Sequence, residues 1–343
     1  MSCPLVISRD RPLLDEVTRL AAAAGVTPDV LPPGVTALQG WVLAPLVLVG
    51  SDAAEEMSVH APQRRPDVHV LASDGDQGSV LRTALALGAE RVLALPDDAA
   101  WLTERLIDAG DDGLSPGRLV GVVGGSGGAG ATTFACALGQ VAARSGSSLV
   151  VDADPLGPGV DRVLGLDSTA GVRWSDLEST TGRLGARSLR EALPRQGRLA
   201  ALTWPAGHSA PLSGEVVREC LSAARRGHDV VVVDLPRGAD PLVSEIATRC
   251  DLVVVVVSPT ICGAASTSVL RAQLGEHGRW GLVVRGRGLD PEGVARVTGL
   301  PLLAEMGDQR RLTESVDLGL GPVRSRRGPL ARAAAQVLEQ VAA

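Results

Sequence analysis

Short apolar runs alternate along the chain with stretches whose apolar residues recur every three or four positions. In the first hundred residues the runs PLVISR (4–9), APLVLVG (44–50), VHVLAS (68–73) and ERVLALP (90–96) predict strands, with helices over 13–24 and 79–87. Farther along, strands are predicted over 118–124, 148–154, 229–236, 251–259 and 280–286, with a short one at 302–305. Helices are predicted over 132–144, 214–226, 262–275 and 328–342. The valine runs at 230–233 and 253–257 are too short to cross a bilayer, and Asp and Pro bound them as they would the central strands of a parallel sheet. Strand–helix alternation of this kind predicts the α/β class, with a doubly wound, mostly parallel sheet in each half.

Charge divides the chain in the same way. Residues 1–112 carry 17 acids and 8 Arg, while residues 113–343 carry 22 acids and 25 Arg. The segment DAGDDGLSPG (108–117), rich in Gly and acid, reads as a linker. The predicted organisation is a domain over 1–110, a linker over 111–117 and a second domain over 118–343. All 33 basic residues are Arg: the 343-residue chain contains no Lys. Any chemistry that needs a lysine in cis is therefore excluded. Aromatics are 2% of the chain, which argues against a base-stacking surface for single-stranded nucleic acid. Five scattered cysteines without C-x-x-C spacing suggest neither a zinc site nor a disulfide framework. The start, MSCPLVISRD, lacks a basic segment followed by an apolar one, so the expected location is the cytoplasm.

The candidate chemistry lies in GGSGGAGATT (124–133), between a predicted strand and a predicted helix. A glycine-rich turn there lets successive backbone N–H groups converge on phosphate oxygens, with the helix amino end behind them. The candidate cradle is Gly125, Ser126, Gly127, Gly128, Ala129, Gly130, Ala131, Thr132 and Thr133. Its spacing fits G-x-x-x-x-G-K-[ST] except that Ala131 stands where the lysine belongs. Thr132 keeps a hydroxyl suited to Mg²⁺, and Asp234, ending a four-valine strand, is the candidate carboxylate for a metal-bound water. Asp152 and Asp154 end another strand; alternation places both on one side, where they could orient an attacking water or touch the metal.

These residues carry a resemblance. SGGAGATT, followed by VVDADPLGPGVDRVLGL and VVVVDLPRG, resembles the MinD/ParA family of P-loop ATPases, and the match extends over roughly 118–340. That family has the loop K-G-G-x-G-K-[ST]-[ST] and dimerises face to face around ATP. The resemblance implies a P-loop NTPase fold of MinD/ParA type, ATP or ADP with Mg²⁺ as ligand, and a homodimer. The family's two lysines, one reaching the partner's phosphates and one its own, fall at Ser126 and Ala131 here. Arg285 falls near the place of its adenine-reading Asn.

The first hundred residues resemble a response-regulator receiver, a flavodoxin-like fold. The receiver's acidic pair, phosphoacceptor Asp and lysine fall at Arg9-Asp10, Gly50 (with Asp52 two residues on) and Leu95 before Pro96. Phosphotransfer is not expected of such a domain; protein interaction is. A degenerate receiver joined to a MinD/ParA domain with an atypical loop is the arrangement of the CpaE/TadZ-like proteins, some described as septum-site-determining-like. The resemblance implies a localisation factor for division, pilus or secretion machinery, with protein partners and weak or absent ATP hydrolysis. The alternative is an active ATP-dependent dimerisation switch. It places the protein in the cytoplasm, recruited to the pole, septum or inner face of the membrane.

Other features read as structural. The Arg clusters at 310–311 and 324–327 are expected to be solvated faces, so no specific nucleic acid is predicted. The segment 328–342 is expected to be a packed helix rather than a membrane anchor, leaving membrane association indirect. Trp174, Trp204, Cys136, His208 and His228 are expected to be packing or surface residues.

Overall fold

The structure, a computed structural model, describes residues 3–72, 77–111, 116–178, 184–205, 213–238, 240–274 and 278–342. Most of the predicted linker (residues 112–115), His208 and the ends of two predicted elements (residues 73 and 275) lie outside the described residues. The chain divides into two compact units: Met1–Ser115 with Thr181–Ser188, and Pro116–Thr180 with Leu189–Ala343.

In the first unit five parallel strands form one sheet: β1 (Leu5–Ile7), β2 (Asp29–Leu31), β3 (Val47–Gly50), β4 (Val68–Ala72) and β5 (Arg91–Ala94). Their order is β2-β1-β3-β4-β5, the flavodoxin-like arrangement. Alternation sorts the apolar side chains. Leu5, Ile7, Val49 and Val70 pack with Trp41 and Met57 on one face; Val6, Leu48, Leu71 and Leu93 pack with Leu13, Leu102 and Leu106 on the other. The strand β2 was not predicted, because its DVL is short and half-exposed.

In the second unit eight strands form the sheet: β6 (Arg118–Gly124), β7 (Ser148–Asp152), β8 (Arg195–Gln196), β9 (Leu199–Leu202), β10 (Val230–Leu235), β11 (Leu252–Val257), β12 (Trp280–Arg285) and β13 (Leu302–Met306). The order is β13-β12-β11-β6-β10-β7-β9-β8, parallel except for the β8–β9 hairpin at one edge. That hairpin was not predicted. The valine runs become β10 and β11, flanking β6 on either side and buried on both faces. One face packs Val120, Val122, Val232 and Val254 against the helices Ala131–Ala142 and Pro329–Ala342. The latter is thus a packed helix, with Leu330, Ala334 and Val337 in the core. Two unpredicted helices, Pro241–Arg249 and Pro291–Thr298, begin at Asp-Pro pairs: Asp240 and Asp290 accept from the N–H groups of Leu242 (2.8 Å) and Gly293 (2.9 Å). Among the described residues no helix is long and apolar enough to cross a membrane.

The phosphate-loop helix is anchored by Phe134, fully buried against this sheet. Phe134→Ala should lower unfolding free energy by about 3–5 kcal/mol in chemical denaturation, because the emptied volume cannot close completely. Val297→Ala, at a residue 70% exposed, should move it by less than about 0.5 kcal/mol.

Candidate functional site

The loop after β6 is held by its neighbours before it can hold anything else. The Gly125 N–H donates to the Val256 carbonyl of β11 at 2.8 Å, and a side chain at Gly125 would strike the Thr267 hydroxyl. Gly128 and Gly130 take left-handed backbone angles (φ 73° and 92°), and Ala129 N–H closes the turn on the Ser126 carbonyl at 3.3 Å. Helix Ala131–Ala142 starts with no side-chain cap, and its first internal bond runs from Phe134 N–H to the Gly130 carbonyl. The N–H groups of Ala131, Thr132 and Thr133 therefore emerge at the helix's positive end.

They border an open pocket of about 410 Å³ lined by the loop, Thr132, Thr133, Asp154, Asp234, Arg237 and Arg285. It lies at the carboxyl ends of the central strands, where ligands bind in sheets of this kind. Ser126 and Ala131, at the two lysine positions of the resemblance, line it too. Gly127 and Gly128 are exposed, and added side chains there would meet open space.

Asp234, next to last in β10, sits beside Val122 of β6 and Asp152 of β7. It is 2% exposed, and burial pushes its carboxyl up to about 7, opposed by a hydrogen bond from Thr132. The two candidate metal-holding groups line the same pocket.

Asp152 and Asp154 do not share a face. The strand β7 ends at Asp152, so alternation lapses before Asp154, which instead caps a turn by accepting from the Leu156 N–H at 3.0 Å. Asp154 lines the loop pocket. Asp152 lines a separate polar cavity of about 340 Å³ with Asp161, Asp167 and Arg173. Its carboxylate accepts from the Thr203 hydroxyl (2.9 Å) and the N–H groups of Asp154 and Val160 (3.1 Å each). Burial still raises its pKa to about 6. Asp152 thereby braces the turn that carries Asp154. Trp174 contributes by donating its indole N–H to the Asp152 carbonyl at 2.7 Å.

Sequence reasoning gave Arg237 no place at the pocket, and set Arg285 near the adenine-reading position without a role. Arg237 stands three residues past Asp234 in the quoted VVVVDLPRG, a signal already in view. Arg285 donates from Nη1 to the Ala129 carbonyl at 3.2 Å, a contact across 156 positions that no local pattern announces. Other expectations are located simply: Cys136 is buried under the sheet, His228 is buried with its Nδ1 at 3.1 Å from the Ala224 carbonyl, and Arg324, Arg326 and Arg327 are exposed.

The donor set fits a Mg-nucleotide. The uncapped helix start and left-handed glycines suit phosphate oxygens, and Thr132 with Asp234 supplies the oxygen ligands Mg²⁺ prefers. In the first unit the corresponding receiver position is filled from within. A side chain at Gly50 would strike Asp52 and the Ser8 hydroxyl, which bond each other at 2.8 Å. The other Asp52 oxygen accepts from the Arg9 N–H at 2.7 Å, and the Arg9 guanidinium pairs with Glu56.

Comparison with known proteins agrees with both halves. A sequence model of the Rv3660c-like, CheY-like N-terminal domain matches residues 7–117. Protein Rv3660c of Mycobacterium tuberculosis H37Rv is 38% identical over 344 aligned residues, covering 96% of this chain and 95% of that one. The chain belongs to the Rv3660c-like family. Its counterpart in M. tuberculosis strain CDC 1551 aligns to the same extent. Among solved structures, a ParA family ATPase from Chlorobium tepidum superposes with a TM-score of 0.58 at 16% identity, covering 66% of the chain and 98% of that structure. The MinD cell division protein of Aquifex aeolicus gives 0.53 at 18% identity, covering 66% and 96%. This Rv3660c-like protein is therefore a receiver-like domain followed by a MinD/ParA-type fold.

The raised carboxyls carry a pH signature. Folded Asp234 holds its proton up to about pH 7 and Asp152 up to about 6, from an ordinary value of 3.8. Between these limits the folded state binds more protons than the unfolded one, so stability present at acid pH is lost as pH rises through 6–7. Asp234→Asn should flatten that slope in denaturation measured from pH 4 to 8; an unchanged slope would assign it to other groups.

Proposed function

We propose that this chain is a spatial regulator of the MinD/ParA kind, organising division, pilus or secretion machinery through protein contacts. It holds Mg-nucleotide weakly and turns it over slowly or not at all. The observation that carries this reading is the composition of the loop: backbone cradle, Thr132 and Asp234 are kept, while Ser126 and Ala131 take the lysine positions. The loop N–H groups would bind the phosphates, Thr132 and Asp234 would hold the metal, and Asp154 would orient water. Bound Mg²⁺ would neutralise phosphate charge. A missing lysine removes charge stabilisation of the transition state that is commonly worth several kcal/mol, roughly a thousandfold in rate.

Partner contacts are supported by the first unit, whose receiver centre is filled by Asp52 and Ser8. A MinC:MinD cell division protein complex from Aquifex aeolicus shares the second unit's fold with a TM-score of 0.55, which makes a protein-docking role a natural one for it. Recruitment from the cytoplasm to a pole, septum or membrane face would follow the partner. A second reading, an ATP-driven homodimer switch, is favoured by the two arginines lining the pocket.

A thermal-shift titration of the full chain with Mg-ATP and Mg-ADP, run beside a phosphate-release assay, separates the two. Stabilisation without turnover is expected, and Ala131→Lys should tighten binding. Brisk phosphate release lost in Asp154→Ala would establish the switch instead.

A further inference from the structure

We infer that Arg237 and Arg285 form a cationic clamp in cis, one on each side of the loop, that grips the phosphates of a nucleoside di- or triphosphate. The inference rests on the nucleotide reading above and assigns the residues that make it work without lysine.

Topology puts the two guanidinium-bearing positions on opposite flanks. In the sheet order β12-β11-β6-β10, the loop leaves β6, Arg285 ends β12 on one side, and Arg237 follows β10 on the other. Both line the same pocket as the loop and Thr132. The Arg285 side chain leans on the loop itself: Nη1 lies 3.2 Å from the Ala129 carbonyl and 2.5 Å from where a Cβ on Gly130 would sit. Glycine at 130 thus serves two ends, a left-handed helix start and room for a guanidinium.

Charge supports a phosphate ligand. The pocket's carboxylates are Asp154 and Asp234, and the two arginines oppose them. Among the described residues Arg285 has one acidic tether, Asp308 at 3.4 Å from Nε, and Asp308 is 74% exposed. Solvent screens such a pair, so a polyphosphate entering beside the helix start can displace it. A guanidinium then offers phosphate two parallel N–H donors, which an ammonium cannot. The clamp therefore differs from the lysine pattern in position as well as chemistry. Its cations arrive from the ends of neighbouring strands and leave positions 126 and 131 small.

The test is calorimetric titration of the full chain with Mg-ADP and with magnesium pyrophosphate, for wild type, Arg237→Gln, Arg285→Gln and Arg285→Lys. Each Gln variant should weaken both ligands about tenfold or more, as loss of a charged hydrogen bond does. Arg285→Lys should recover part of the loss. Binding by the Gln variants at wild-type strength or tighter overturns the clamp while leaving the nucleotide reading intact. So does loss of Mg-ADP affinity with pyrophosphate binding unchanged, which would place the arginines on the base. A wild type that binds neither ligand overturns the nucleotide reading itself, and the clamp with it. Melting without ligand controls for folding; should Arg285→Gln alone lower the midpoint by loosening Ala129, Arg237→Gln decides.

Discussion

The second unit is organised around a carboxyl group placed where water does not reach. Asp234 is next to last in a strand of four valines and Leu235; it is 2% exposed, and Thr132 lines the same pocket. Leaving such a group ionised and unpartnered in an apolar sheet costs several kcal/mol, so a carboxylate there needs a compensating cation or a proton. Thr132 lies in the first turn of the loop's helix and Asp234 near the end of β10, so the pocket they line joins the glycine turn to the sheet's centre.

Beside that carboxyl the loop keeps its shape and loses its charge. Shape comes from backbone: left-handed Gly128 and Gly130, the Gly125 N–H on β11, and a helix start without a side-chain cap. None of these needs a lysine. Charge, by contrast, is a side-chain property, and here it enters from Arg237 and Arg285. Asp152 supports the arrangement from beneath, spending its oxygens on Thr203, Asp154 and Val160 rather than on the pocket.

The first unit shows the same separation of scaffold from chemistry. Its five-strand order is that of a receiver, yet the position after β3 where an acceptor carboxylate would stand is Gly50, and Asp52 and Ser8 have closed over it. Asp52 lies in the first turn of its helix, where a carboxylate is favoured by the helix's positive end. An acid that stabilises a helix start and bonds Ser8 is a structural acid.

Much of this was legible in the chain. Five-valine and four-valine runs bounded by Asp and Pro point to interior strands, since nothing in them is fit for water; clustered glycines between a strand and a helix point to a turn that exposes amides. Those are local properties, determined by side-chain polarity and backbone freedom within a few residues. Elements with weaker local contrast, such as DVL in β2 and the β8–β9 hairpin, form because a neighbour already offers an edge to pair with. What Asp152, Arg237 and Arg285 stand against was decided only by the tertiary structure. Where β7 stops determines whether Asp152 and Asp154 face together, and the order of β12, β11, β6 and β10 determines which guanidinium groups reach the loop. Packing and strand order are contacts between residues far apart in the chain, and no local pattern encodes them.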